Sequence, residues 1–280
     1  MAFARGAGRP FDLAVVTGAS SGIGAALARR LCESGAAANV VGVGRRAHGA
    51  GDWADARFAY VSADVATEEG RAAVGAAVAE LLTGRSARVA VVHNAADAGE
   101  LRGVKDLNLA KFRETMATNV EAPLFLTQTL LPHLGRGSRV LHVSSGAAHG
   151  GISSMAPYCA SKAALLSLKQ ALAMELAPEG ILVGSAQPGV VDTAMQRSVV
   201  DAARGDYAMR PYFEGLRAET PAARAAWPRP PPQLGLDTAE NVACFFTWLL
   251  RDADDGEFGE GDWDIQDAKH HDRWAAAPDL

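Results

Sequence analysis

Tyr158 and Lys162 stand four residues apart in PYCASKAALL, so on a helix they share one face. A free phenol has a pKa of about 10, too high for a base near neutrality. An ammonium roughly 4 Å away, at an effective dielectric of about 20, favours the phenolate by on the order of 4 kcal/mol, or about three pKa units. The spacing therefore predicts that Lys162 draws Tyr158 down to about 7, where general acid–base catalysis works well. Pro157 suits the first turn of that helix, although a Y-x-x-x-K pair by itself arises by chance in many helices. Ser145 lies 13 residues before Tyr158 at the end of RVLHVSS, where its hydroxyl could stabilise charge developing on a carbonyl oxygen. Reducing a ketone takes a hydride at carbon and a proton at oxygen. These side chains handle only the proton, so a hydride carrier is required.

The stretch TGASSGIG (17–24) is where such a carrier could be held, with Gly18, Gly22 and Gly24 standing between an apolar run and a helical pattern. Backbone N–H groups at a helix start carry partial positive charge, and glycine lets a phosphate approach without meeting a Cβ. The spacing is G-x-x-x-G-x-G, not the G-x-G-x-x-G of the dinucleotide fingerprint, and taken alone it fits a tight turn equally. The end of the second apolar run adds information. An acid there would favour NAD, but the sequence offers Gly44-Arg45-Arg46, and an arginine fork can pair with a 2′-phosphate. NADP(H) is the cofactor this predicts; ordinary surface charge is the plainer account of the two arginines.

The elements that must position these groups alternate along the chain. Strand-like runs at 13–17, 39–44, 57–62, 88–94, 139–145 and 181–187 are separated by helical patterns at 25–35, 68–82, 108–118, 120–134 and 157–180. Parallel neighbours need crossovers and both sheet faces need cover. The fold class is therefore α/β, a doubly wound parallel sheet of the Rossmann type in one domain spanning 1–280. A helix at 239–250 and a short edge strand at 263–265 complete it. From 196 to 236 prolines and charges interrupt the periodicity, as expected of a substrate lid inserted before the last helix. AKHHDRW near the end reads as a solvated tail, its paired histidines lacking the partners of a metal set.

Composition narrows the functions further. The 280 residues are 49% hydrophobic and carry a net charge of −5, which supports a large core and offers no basic surface for nucleic acid or an anionic membrane. No apolar run reaches the roughly 20 residues of a membrane span, and MAFARGAGRPFD has no signal-like segment, so the expected location is cytoplasmic. Cys32, Cys159 and Cys244 are odd in number and widely spaced, and read as core fillers with no disulfide or metal role.

TGASSGIG, HNAA, TNV, SS, YCASK and PGVVDT, in this order, resemble a short-chain dehydrogenase/reductase over residues 12 to 195. The resemblance implies that Tyr158 exchanges the proton, that Lys162 holds the nicotinamide ribose, that Ser145 hydrogen-bonds the substrate carbonyl, and that Asn119 supports Lys162 through a water relay. It places Ser20, Ser21 and Ile23 beside the three glycines in the phosphate loop. Asp64 and Val65 match adenine contacts, Asn94 and Ala95 the segment after the fourth strand, and Pro188, Gly189, Val191 and Thr193 nicotinamide contacts. The family's N-N-A-G appears here as His93-Asn94-Ala95-Ala96, which puts contacts at Ala96 in doubt. His93 reads as a packed strand-end residue in preference to a catalytic base.

Within the family, PGVVDTAMQ and YCASKAAL resemble sepiapterin reductase and the benzil-type diketone reductases. That implies NADPH-dependent reduction of a ketone or vicinal diketone, with Ala147, His149, Met155 and Met195 as substrate contacts. Oxidation of a secondary alcohol and reduction of a 3-oxoacyl thioester are the other enzymatic readings. A nucleotide-sensing regulator is the non-enzymatic one, disfavoured because Tyr158 and Lys162 are both present. The family resemblance suggests a homodimer or homotetramer packed through the helices around 108–134 and 157–179.

Overall fold

The computed structural model describes residues 10–46, 55–202 and 236–275. The strands are β1 (Leu13–Thr17), β2 (Val40–Gly44), β3 (Phe58–Ser62), β4 (Val89–His93), β5 (Arg139–Val143), β6 (Leu182–Gln187) and β7 (Trp263–Asp264). They form one seven-stranded sheet in the order β3-β2-β1-β4-β5-β6-β7. Each neighbouring pair runs parallel. The order reverses between β1 and β4, and that switch point opens a crevice beyond the strands' carboxyl ends. This is the doubly wound Rossmann-type sheet that the alternating pattern predicts.

Side chains alternate between the two faces of each strand, and two cores result. Ala14 and Val16 of β1 belong to one core with Leu27 and Leu31 of α1 (Gly22–Glu33) and Phe245 and Leu249 of α7 (Ala239–Arg251). Leu13 and Val15 belong to the other, with Val74 and Val78 of α2 (Glu68–Leu81), Leu126 and Leu130 of α4 (Ala122–Leu130) and Leu172 and Leu176 of α5 (Ala156–Leu176). Each fully buried Leu, Val or Phe contributes roughly 1.5–3 kcal/mol relative to leaving it in water. β1 and β4 are buried throughout, which is why they read as apolar runs without alternation, and β5 is buried throughout although it carries Arg139 and His142.

One charge is drawn into this interior for a structural purpose. Arg139 on β5 is 3% exposed and donates to the carbonyls of Leu249 (2.9 Å), Leu250 (3.1 Å) and Ala253 (2.8 Å) and to Asp255 (2.5 Å). A cation at the carbonyl end of α7 satisfies groups the helix cannot pair itself. It fixes α8 (Asp255–Gly259) beside the sheet, and with it the loop leading into β7.

Two readings of the sequence are corrected. The patterns at 108–118 and 120–134 are not two helices: α3 (Leu109–Met116) runs into α4 through a π-helical turn, Ala117–Glu121. Such a turn widens a helix without ending it. The AKHHDRW stretch is not a solvated tail. It forms a 3₁₀ turn and helix α9 (His271–Ala275), in which His271 bonds the Ile265 carbonyl (2.8 Å) and Trp274 is buried beside Phe245 with ring centroids 5.5 Å apart. Of the expected lid at 196–236, residues 203–235 lie outside the described residues; its first part belongs to helix α6 (Ala194–Ala202).

Candidate active site

Gly18 and Gly22 take positive φ, +70° and +56°, which turns the chain sharply from β1 into α1. A Cβ on Gly24 would overlap the Gly18 carbonyl and come within 2.6 Å of Asn94 Nδ2, so only glycine lets the helix start this close to the strand. The turn is tied to β4: Asn94 Nδ2 donates to the Thr17 carbonyl (2.9 Å), while Thr17 Oγ1 accepts from the backbone N–H groups of Asn94 and Ala95 (both 3.0 Å). Asn94 therefore holds the loop's shape as well as facing the crevice.

The crevice is a cleft of about 570 Å³ along the strand ends. It brings together Gly18, Ser20, Ser21, Gly22, Ile23, Arg45, Arg46, Asp64, Val65, Asn94, Ala95, Tyr158, Lys162, Pro188, Thr193 and Met195 of the residues named from sequence. Gly24, Asn119, Ser145, Gly189, Val191, Ala147, His149 and Met155 do not line it. Gly189 takes φ +70° in the turn after β6, and Val191 is buried and pairs with Asp237, so both shape the wall from behind. Ala96 does line the cleft, as do Thr118, Val143, Ser144 and Ala194. Thr118 and Ser144 belong to the TNV and SS motifs, in which only Asn119 and Ser145 were given roles.

At one end of the cleft α1 opens without a side-chain cap and with no acid in its first turn. By contrast α2, α3 and α7 are capped by Thr67, Asn108 and Thr238. An uncapped helix start above a glycine turn is a fit for a dinucleotide's phosphates. Arg46 Nη2 reaches back to Ser20 Oγ (3.2 Å) and Ser21 Oγ (2.7 Å), over the rim of that loop. Arg45 stands beside it, exposed, so cationic groups occupy the place where an acid would meet a ribose.

At the other end Lys162 Nζ donates to the Val143 carbonyl (2.7 Å) and lies 5.7 Å from the centre of the Tyr158 ring. Burial draws this lysine down to about 8, with the charge of Asp262 opposing. Burial pushes the Tyr158 hydroxyl above its usual value, with Ser145 opposing through a hydrogen bond. The expectation that Lys162 brings Tyr158 to about 7 is thus corrected for the chain by itself. The ammonium is turned toward a carbonyl over the ring face, and desolvation of the phenolate prevails. Tyr158 is held as the neutral acid.

Asn119 sits in the π turn, 1% exposed, and its side chain is fully engaged. It accepts from the Asp97 N–H (2.8 Å) and donates to the Asp97 carbonyl (2.8 Å) and Ser161 Oγ (2.9 Å). It therefore pins the segment after β4 to the helix carrying Tyr158 and Lys162. Ser145 begins a 3₁₀ turn, Gly146–Ala148, and its Oγ accepts from the Ala147 N–H (3.2 Å). His149 at the far end of the turn meets Asp262, with Gln187 3.1 Å away on β6. Met155 packs with Leu101, Ile152, Tyr158 and Cys159 behind the tyrosine. His93 is a packed residue, as read: 3% exposed, bonded to Thr127 (2.8 Å), edge-on to His142, and held neutral by burial.

A Rossmann-type sheet whose switch-point cleft carries a glycine turn at one end and a Tyr–Lys pair at the other defines a dinucleotide-dependent oxidoreductase. The chain belongs to the short chain dehydrogenase family, whose model it matches over residues 12–204. It is 30% identical over 223 residues to the glucose and ribitol dehydrogenase homolog 2 of Arabidopsis thaliana, covering 77% of this chain and 74% of that protein. The D-threitol dehydrogenase of Mycolicibacterium smegmatis is 28% identical over 224 residues, covering 77% and 81%. Among solved structures, a short chain dehydrogenase from Burkholderia cenocepacia J2315 in complex with NADP superposes with a TM-score of 0.66 at 29% identity, covering 91% of this chain and 97% of that one. Among the described residues no helix is long and apolar enough to cross a membrane.

Proposed function

We propose that this protein is an NADPH-dependent carbonyl reductase that converts a ketone or vicinal diketone to the alcohol. The observation carrying the reading is that one cleft joins Arg45 and Arg46 to Tyr158 and Lys162. A nicotinamide cofactor, when bound, supplies the hydride. Ser20, Ser21, Gly22 and Ile23 at the open start of α1 would hold its pyrophosphate, Arg45 and Arg46 its 2′-phosphate, and Lys162 its nicotinamide ribose.

The chain's own part is proton delivery and charge stabilisation. Tyr158, kept protonated by burial, donates its hydroxyl proton to the oxygen of the carbonyl being reduced. The phenolate left behind is stabilised by the Ser145 hydrogen bond, while Lys162, at about 8, remains largely protonated at neutral pH and is held on the Val143 carbonyl. Ser145 orients the carbonyl, and Asn119 keeps the loop at Asp97 seated against α5. A tyrosine resting as an acid suits reduction, because oxidising an alcohol needs the phenolate first.

The local likeness of PGVVDTAMQ and YCASKAAL to diketone reductases supports the vicinal dicarbonyl class. Relatives named as sugar-alcohol dehydrogenases support the second reading, NADP-dependent oxidation of a secondary alcohol. The deciding experiment follows absorbance of NADPH and NADH with a panel of diketones, quinones, aldehydes and simple ketones, and of NADP and NAD with polyols. Faster turnover of a diketone with NADPH is the expected result; preference for polyol oxidation replaces it with the second reading.

A further inference from the structure

Asp262 lies in the loop just before β7, far along the chain from every motif that carries the family likeness. It reaches across the end of β6 to two partners on the β5 side. Ser144 Oγ donates to Asp262 Oδ2 (2.9 Å), and His149 Nε2 lies 2.8 Å from the same oxygen. With the proton on Nε2 His149 donates to this oxygen, and the Gln187 amide, whose nitrogen stands 3.1 Å from the same ring atom, then turns its oxygen toward it. Ser144 and His149 are the residues at either end of the turn that begins with Ser145. One oxygen atom therefore ties down both ends of the turn that begins with Ser145, the hydroxyl assigned above to the substrate carbonyl.

The loop bearing Asp262 is itself held. Lys169 Nζ, on α5 two turns beyond Lys162, donates to the carbonyls of Gly259 (2.6 Å) and Gly261 (3.0 Å). Trp263 then pairs with Ala186 of β6, and the Ala186 carbonyl accepts from the Ser144 N–H (2.8 Å). The arrangement is costly: Asp262 Oδ1 is buried without a hydrogen-bond partner among the described residues.

We propose that Asp262 is a positioning residue of the active site, its Oδ2 clamping Ser144 and His149 so that Ser145 is held ready between them. This rests on the reductase reading above. The clamp needs an acceptor oxygen and not a charge, so the isosteric amide should replace it, whereas a role through the field on Lys162 would need the charge.

The test uses the full chain with Asp262→Ala, Asp262→Asn, and Asp262→Ala combined with Ser145→Ala. Hydrogen exchange of the 144–149 amides, read by mass spectrometry, should speed up at least about tenfold in Asp262→Ala and stay within about twofold of wild type in Asp262→Asn. In NADPH turnover kcat should fall roughly tenfold in Asp262→Ala, with KM for NADPH unchanged, and recover in Asp262→Asn. Adding Asp262→Ala to Ser145→Ala should cost no further activity, because the clamp acts through Ser145. Unchanged exchange in Asp262→Ala overturns the proposal, as do losses that add in full, or equal damage from the alanine and asparagine variants. Should Asp262→Ala not fold, Ser144→Ala with His149→Ala removes the clamp from its other side and carries the same exchange measurement. Wild-type protein inactive on every carbonyl counts against the reductase reading, and exchange at 144–149 then decides the clamp separately.

Discussion

Tyr158 offers the sharpest test at the residue scale, because Tyr158→Phe keeps the ring that packs against Met155 and removes only the hydroxyl. Turnover should drop by at least about a thousandfold, the scale of a lost general acid, while NADPH still binds as read by its fluorescence. Activity within tenfold of wild type would take the proton-transfer role from Tyr158. Arg45→Asp addresses the other end of the cleft. Charge-assisted hydrogen bonds contribute roughly 1.5–3 kcal/mol, so KM for NADPH should rise about tenfold to a hundredfold and use of NADH should improve. A wild-type enzyme that already prefers NADH would sink the assignment of Arg45 and Arg46. Both ends were legible in the sequence because local spacing carries them: four residues on a helix, and two at a strand end. The ionisation of Tyr158 was not, since it depends on where the Lys162 ammonium turns, and the carbonyl that holds it belongs to another element.

Among the elements, the β1-to-α1 turn is the least tolerant of change. Gly24→Ala would drive a methyl into the Gly18 carbonyl and the Asn94 amide, both backbone-tied and unable to retreat. Overpacking of this kind costs typically 1–3 kcal/mol. Urea unfolding should show a lower midpoint at unchanged slope, together with a raised KM for NADPH. Wild-type stability and cofactor affinity in Gly24→Ala would show that the turn has slack. Strand and helix identities in the sheet followed from apolar runs and helical periodicity, but the link between α3 and α4 did not. A π turn at Ala117–Glu121 shifts the helical phase by a fraction of a turn, and a reading by period alone takes that shift for a break. The C-terminal segment misled for a related reason. In HHDRWA the buried positions are His271 and Trp274, one turn apart, and the intervening Asp272 and Arg273 face water, so charge density hid a packed face. Asp262 gave no local signal at all, standing 118 residues from Ser144.

For the molecule as a whole, acid stability follows from the two histidines buried beneath the cleft. Burial holds His142 down at about 3 and His93 well below its usual value, each also repelled by a neighbouring positive group once charged. A group whose proton affinity is lowered by folding binds more protons unfolded, so its contribution to stability is complete above about 6.5 and declines as pH falls below that. Each such histidine costs about 1.4 kcal/mol per pH unit across the window. Asp237 works against this. Burial raises it to about 6, so between about 4 and 6 the folded chain binds the extra proton there and one histidine's slope is offset. The remaining slope corresponds to about one proton. Denaturation free energy should therefore fall by roughly 1.4 kcal/mol per unit between pH 6 and 4, and more gently between 6.5 and 6, where the unfolded histidines are only partly protonated. His142→Phe places an apolar ring at the same position on β5 and should remove that slope while leaving stability at pH 7.5 within about 1.5 kcal/mol of wild type. Guanidinium titrations of both proteins at a series of pH values measure it. A His142→Phe variant that loses stability toward pH 4 as steeply as wild type would show that the acid response comes from elsewhere in the fold.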